Sequence, residues 1–416
     1  MNVPGLTQPG VRPAYGYRSF AEVPFLIRRV LMGQPSRLLE RLLPNATSGS
    51  FAKVIFILAD SLGWSFFRRF ADHHPALQRF LRRGGVLRTT AQFPSTTSAH
   101  VTTIGTGQVV ARHGVFEWQY YEPVLDAVIV PLMFSFAGDR NRNTLENVGV
   151  EPRQILPTRS FFRELQQEGI AGYTLLPREI AFSPYTRFTA QGAQIVPYRT
   201  LPEALINLRQ MAAEQTGKAC YYLYFPDIDS ICHDYGPDSP QVEAEIDAFL
   251  SVLERHLLIP AERTLRDTLI LMTADHGQTA VRPETTIYLN LHPDFPRLQP
   301  LLQTDRRGNV LPPGGSPRDV FLYVREACLD EAEALLRQML DGRADVVRTA
   351  ELVAQGLFGG EPSPALSARL SPLVILAHPG ETVWWYEKDR FEQKFRGHHG
   401  GLSAEEMLTP LLALPC

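Results

Sequence analysis

From Lys53 onward, short apolar runs alternate with stretches of helical periodicity. The runs are Val54–Ala59, Ala171–Leu175, Cys220–Phe225 and Thr268–Thr273. Each is short, mostly apolar and free of charged residues, the pattern of a strand buried on both faces. Between the last two, Val242, Ile246, Phe249, Leu250, Leu253 and Leu257 recur at helical spacing behind Ser239, a natural N-cap, and Pro240, suited to a first helical position. This rhythm predicts an α/β fold: a mostly parallel sheet with helices on both faces.

The rhythm is interrupted twice. Residues 1–50 read as an N-terminal arm. It has a Pro/Gly-rich start, an amphipathic stretch through Leu31, Leu38, Leu39 and Leu42, and a turn-like Asn45-Ala46-Thr47-Ser48-Gly49. Arg28, Arg29, Arg37 and Arg41 beside those leucines fit a membrane-surface helix, but a helix docked on its own domain needs no longer basic face and is the preferred reading. Residues 291–376 form the second interruption. They carry the turn-rich Pro312-Pro313-Gly314-Gly315-Ser316-Pro317, a strand pattern at Val320–Val324 and a helix pattern at Asp330–Leu340. They are expected to fold as a small α+β cap inserted between a catalytic core at 51–290 and its return at 377–416.

Composition narrows the function. At 416 residues and 44% hydrophobic, the chain has apolar material for a large core, which excludes disorder. Forty-one basic against 44 acidic residues leave a net charge of −3, so no basic field attracts a nucleic-acid polymer. Cys220, Cys232, Cys328 and Cys416 show no CxxC spacing. Neither a disulfide framework nor a cysteine zinc site is expected, and a reducing compartment fits. The first 23 residues contain no signal-peptide core, and no run approaches the roughly 18 apolar residues of a membrane span, so a cytoplasmic protein is expected.

Three strands end in acids: Val54–Ala59 in Asp60, Cys220–Phe225 in Asp227 and Asp229, and Thr268–Thr273 in Asp275. A single strand-end Asp is ordinarily a cap or turn former. Several at the carboxyl edge of one sheet, where α/β folds bind ligands, repel one another unless a cation holds them. Two of the segments add histidine, in Asp229-Ser-Ile-Cys-His233 and Asp275-His276, and Gly397-His398-His399-Gly400-Gly401 precedes the last apolar run, Met407–Leu414. Carboxylate plus imidazole is the ligand set of a hydrolytic zinc or manganese site. The segment Phe93-Pro94-Ser95-Thr96-Thr97-Ser98-Ala99-His100 reads as a loop entering a helix N-terminus. Its hydroxyls are either plain N-caps or, beside a divalent metal, a nucleophile.

In this order, Asp60, the Phe-Pro-Ser-Thr-Thr loop, His113-Gly114, Asp229-x-x-x-His233, Thr-Ala-Asp275-His276-Gly277 and Gly-His-His399-Gly resemble the alkaline phosphatase superfamily, and within it the nucleotide pyrophosphatase/phosphodiesterase branch. The resemblance implies an alkaline-phosphatase-like fold and a phosphoric ester hydrolase, a phosphodiesterase or nucleotide pyrophosphatase in preference to a phosphomonoesterase, with two divalent metal ions, zinc first and manganese as the alternative. One ion would be held by Asp229, His233 and His399, the other by Asp60, Asp275 and His276. The nucleophile would be Thr97, with Thr96 as the fallback, passing through a phosphoryl-threonine. Mutases and phosphonate hydrolases share these ligands, and a non-catalytic phospho-ligand-binding protein is the rival from another class. The chain departs from the branch at Ser98-Ala99-His100 and at Trp118, which stands where the branch has a phosphate-binding Asn. Phe116, Trp118, Tyr120, Tyr121, Phe134 and Phe136 read as packing, or alternatively as a stacking wall that would include Tyr224. Asp227 is expected behind a ligand imidazole. The partner implied is a small-molecule phosphoester, with Trp118 and Tyr224 as candidate substrate contacts; the oligomeric state stays open.

Overall fold

The computed structural model describes residues 3, 5–44 and 51–416. The turn-like 45–49 segment lies outside them. The central sheet has seven strands: β1 (Lys53–Ala59), β2 (Gly85–Thr90), β3 (Ala171–Pro177), β4 (Ala193–Tyr198), β5 (Ala219–Phe225), β6 (Thr268–Thr273), and a last strand at Leu408–Pro415. The four apolar runs and the final one are all strands. Their order across the sheet is β2, Leu408–Pro415, β6, β1, β5, β3, β4. All neighbours are parallel except Leu408–Pro415, which is antiparallel to both β2 and β6.

The alternation within β1 feeds two cores. Ile55, Ile57 and Ala59 pack with the helices Trp64–Ala71, Pro75–Arg83, Leu201–Glu214 and Pro240–Leu253. Val54, Phe56 and Leu58 face the other way. There they meet Phe161–Gln167 and the arm helices Val23–Leu31 and Arg37–Leu42, whose Leu26, Ile27, Val30, Leu38, Leu39 and Leu42 are buried. The apolar stripe of the arm is thus spent on its own domain, and Arg28 pairs with Glu168. The Ser239 side chain accepts the Val242 N–H, capping the helix as its sequence implies. No helix among the described residues is long and apolar enough to cross a membrane.

Within the second interruption lies a four-stranded antiparallel sheet: β7 (Gly314–Ser316), β8 (Asp319–Leu322), β9 (Ala344–Arg348) and β10 (Leu373–Ala377), in the order β7, β8, β10, β9. The helix Leu329–Leu340 covers one face. The opposite face shares a core with Phe93, Ala99, Phe116 and Tyr120, which lie in, before and after the helix Thr97–Thr106. A buried ion pair ties this sheet to the loop before the last strand, here numbered β11. Arg318 Nε and Nη2 each donate to Glu406 at 3.0 Å, while Nη1 reaches the carbonyls of His378 and Glu381. Glu406 also accepts the N–H groups of Gly401 and Ser403. Removing one partner leaves the other charge buried and uncompensated, which costs about 3–5 kcal/mol. Glu406→Ala should therefore lower the urea midpoint and the melting temperature clearly, and Glu406→Gln should lower them less; an unchanged midpoint in Glu406→Ala would show that the pair does not hold the loop.

Candidate metal centre and nucleophile

Parallel strands bring their carboxyl ends to one edge, and β11, running the other way, presents its leading loop there. Asp60 follows β1, Asp275 lies two residues beyond β6, Asp229 opens the helix Asp227–Tyr235 after β5, and His399 sits in the loop before β11. His276 Nε2 lies 3.5 Å from Asp60 Oδ1 and 3.5 Å from Asp275 Oδ2. His233 Nε2, one helical turn past Asp229, lies 3.3 Å from its Oδ2, and His399 Nε2 is 3.7 Å from its Oδ1. The rings of His276 and His399 stack at 3.6 Å. The structure therefore brings all six expected ligands together. Asp60, Asp275 and His276 form one tight cluster, as expected; in the other, His276 joins Asp229 and His399 within 4.8 Å, so its ring lies between the two groups.

The donor atoms fit a cation. The Nδ1 atoms of His233, His276 and His399 meet the carbonyls of Gly397 (2.8 Å), Gly277 (3.1 Å) and Ser95 (2.9 Å). A carbonyl only accepts, so each Nδ1 carries the hydrogen; His276 and His399 turn an Nε2 lone pair toward the acids, whereas Asp229 beside His233 Nε2 favours the charged form of that ring. Burial pushes His276 down to about 4 and His399 down to about 3, keeping both rings neutral. The acids are each half satisfied. Asp275 Oδ1 accepts the N–H groups of Ser61 and His276, Asp229 Oδ1 accepts the Gln278 amide at 2.6 Å, and Asp60 Oδ2 accepts the Tyr224 hydroxyl at 2.5 Å. Asp60 Oδ1 and Asp275 Oδ2 are buried without any partner. Burial, and for Asp60 the neighbouring Asp275 as well, raises both carboxyls above the usual range. Orphaned carboxylate oxygens facing imidazole lone pairs are what divalent cations satisfy.

Thr97 is the first residue of the helix Thr97–Thr106. Its Oγ1 lies 3.2 Å from His276 Nε2 and 3.4 Å from Asp60 Oδ2, at the Asp60 cluster. Thr96 occupies the N-cap position, yet its side chain makes no capping hydrogen bond; it meets the Glu117 carboxyl instead. The helix N-terminus is thus left free of a side-chain cap and open to an anion. Ser95 ties this loop to the His399 loop: its Oγ donates to the Gly401 carbonyl and accepts the Gly400 N–H. His100, the departure from the branch pattern, is a packing residue that accepts the Gln92 N–H and lies over Phe20. His113 Nδ1 accepts the Val115 N–H, leaving Nε2 to donate to Thr103.

Three expectations change. Asp227 is exposed, and backbone carbonyls, rather than Asp227, orient all three ligand imidazoles. The Tyr224 ring lines the cavity beside Thr97, but its hydroxyl is committed to Asp60. In the aromatic row, Phe116, Tyr120 and Phe134 are core, whereas Trp118 is 40% exposed at the site. Gln278 and Ser95 had no sequence signal, because an amide or hydroxyl acquires its role only from the neighbour that folding supplies.

Two cavities meet here. One, of about 410 Å³, runs from Thr97 between Val101, Phe162, Leu176, Ile180 and Tyr185. The other, of about 350 Å³, is bounded by Trp384, Phe391, Phe395, His233, His398 and His399. Thr97, Trp118 and Asp229 border both. Because the acid cluster is self-repelling without a cation, zinc or manganese at about 100 times its dissociation constant should stabilise the protein by about 2.7 kcal/mol. The Asp60→Asn/Asp275→Asn double variant should melt at or above the parent in chelator and gain less from added metal; the reverse order in a thermal scan would contradict the cluster.

A model of the type I phosphodiesterase / nucleotide pyrophosphatase family matches residues 54–402. Human ectonucleotide pyrophosphatase/phosphodiesterase family member 7 is 25% identical over 302 residues, spanning 68% of this chain and 61% of that relative, so the match covers less than two thirds of its length. Among solved structures, murine ectonucleotide pyrophosphatase/phosphodiesterase 5 superposes with a TM-score of 0.64 at 17% identity, over 88% of each chain. An inactive threonine-to-alanine variant of the murine protein in complex with AMP gives 0.63 at 18%, covering 87% of this chain and 88% of the other. Phosphonoacetate hydrolase from Sinorhizobium meliloti gives 0.59 at 18%, covering 86% and 89%. These structural likenesses establish the fold. With five acid and imidazole side chains clustered at a sheet edge and a family model spanning most of its length, the chain belongs to the type I phosphodiesterase / nucleotide pyrophosphatase family.

Proposed function

We propose that this protein hydrolyses small phosphodiesters through a phosphoryl-threonine formed on Thr97. The observation that carries the diester reading is the pair of cavities sharing Thr97, Trp118 and Asp229. A phosphodiester has two ester substituents, and each finds its own recess when phosphorus sits at Thr97; a monoester would leave one recess idle. The inactive threonine variant among the structural relatives supports the choice of Thr97.

Asp60, Asp275 and His276 would hold one divalent ion and Asp229, His233 and His399 the other, zinc being the first candidate and manganese the alternative. What such ions supply when bound is positive charge, which lowers the pKa of a hydroxyl and neutralises phosphoryl oxygens. The protein does the rest. The helix places Thr97 Oγ1 for in-line attack, and the uncapped N–H groups behind it face the phosphoryl oxygens. The Thr97 O–P bond forms as the bond to the leaving oxygen breaks, and the departing alcohol takes up a proton as it enters water. Water then attacks the phosphoryl-threonine, releasing the monoester and returning the hydroxyl. Tyr224 and Gln278 keep Asp60 and Asp229 turned toward the centre throughout.

Thr97→Ala should lower kcat on a chromogenic phosphodiester by about 10³-fold or more while leaving the bound metal unchanged; undiminished turnover would refute the nucleophile. Two in-line displacements should give retention at phosphorus with a chiral phosphorothioate diester, and net inversion would exclude the covalent intermediate. Assayed side by side, a diester should outrun a monoester and a phosphonate; the opposite ranking would move the protein to the monoesterase, mutase or phosphonate-hydrolase side of the superfamily, and binding without turnover would make it a ligand-binding protein.

A further inference from the structure

Beneath the site lies a pair of acids that the chemistry above does not use. Glu117 and Asp319 are both fully buried, one beside Trp118 and the other on β8 of the inserted sheet. Glu117 Oε1 and Asp319 Oδ2 are buried without a hydrogen-bond partner, and each acid bears on the ionisation of the other. Two buried carboxylates cannot both be ionised side by side, so the pair must share a proton; burial raises both groups, Glu117 to about 8.

The remaining oxygens collect donors from three segments. The Trp118 N–H donates to Glu117 Oε2, and the Thr96 hydroxyl reaches the same carboxyl. Ser316 Oγ donates to Asp319 Oδ1 at 2.6 Å and also lies 3.1 Å from the His399 carbonyl. Gly400, at φ +126, packs so closely that a Cβ would lie 2.4 Å from Asp319 Oδ1. Trp118 is pinned on its other side too: the Gly315 N–H donates to the Gln119 carbonyl at 2.7 Å, and the Gln119 amide donates to the Pro313 carbonyl at 2.8 Å. An apolar pair of the same volume would pack without the cost of burying acids, but it would orphan the Trp118 N–H and take from the Thr96 and Ser316 hydroxyls the carboxyl each now meets. What the pair secures is position.

We propose that Glu117 and Asp319 are positioning residues that clamp Trp118 to the inserted sheet, so that the insertion sets the wall between the two cavities and with it the size of substituent each accepts. This rests on the two-cavity reading of the substrate.

One experiment reads the clamp without catalysis. Acrylamide quenching of Trp118, taken as the difference between each protein and its Trp118→Phe counterpart, should at least double in Glu117→Ala and Asp319→Ala and stay unchanged in Glu117→Gln and Asp319→Asn, whose amides preserve the shared hydrogen. On substrate, the alanine variants should raise KM for a phosphodiester tenfold or more, with kcat on a small monoester within twofold and bound metal unchanged. In the Trp118→Phe background, Glu117→Ala should add no further KM increase. Should Glu117→Ala not fold, Glu117→Asp, which keeps the carboxyl but shortens its reach, carries the same expectation. Unchanged quenching in the alanine variants overturns the clamp, as do independent, multiplying KM effects of Glu117→Ala and Trp118→Phe. If the parent cleaves no diester, the functional reading fails by itself, and the clamp stands or falls on quenching.

Discussion

Like-charge repulsion at the carboxyl edge of the sheet governs this molecule. Asp60 and Asp275 each leave one buried oxygen without a partner, and the neutral rings of His276 and His399 cannot neutralise them. Burial makes this worse, since it removes the water that would otherwise screen the charges. An arrangement so unfavourable by itself persists because the strands on both sides are fully buried and over-determine where the acids sit. A divalent cation bound between these oxygens would relieve that repulsion.

Much of this was legible in the chain because the central strands are continuous apolar runs that end abruptly in acids. Asp60 follows Val54–Ala59 and Asp275 follows Thr268–Thr273 with hardly a residue between. The two strands that the apolar pattern did not show are β2 and β4, which lie at the two edges of the sheet. An edge strand is buried less and tolerates polar residues and proline, so Gly85–Thr90 carries only two aliphatic residues and Ala193–Tyr198 contains Pro197. The site follows the same rule. Ligands that sit in dense local motifs could be read; Tyr224 as a partner of Asp60, Gln278 as a partner of Asp229, and the carbonyls that orient the imidazoles could not, because each pairing joins residues far apart in sequence or uses the main chain. Asp227 shows the converse hazard, an acid in the right motif whose side chain faces solvent.

The insertion is better understood as a buttress than as a cap. Arg318 and Asp319, adjacent on the chain, reach Glu406 and Glu117, on opposite sides of the centre. Through Ser316 and the close approach at Gly400, the same short stretch bears on the loop that carries His399. A sheet that lies outside the core in sequence thereby buttresses the Trp118 segment and packs against the loop that carries His399.

The reversed direction of β11 has a consequence for how the molecule comes into being. Within the sheet β2 has only β11 as a neighbouring strand, apart from a single bridge from Thr90 to Ser19 of the arm, and the His399 loop is delivered by β11. During synthesis β2 emerges early but has no sheet strand beside it until residues 408–415 are made, and until then the imidazole of His399 is not held at the edge. The nascent chain can therefore build most of its sheet while remaining chemically incomplete, and insertion of one late strand between β2 and β6 closes the sheet and assembles the centre in a single event.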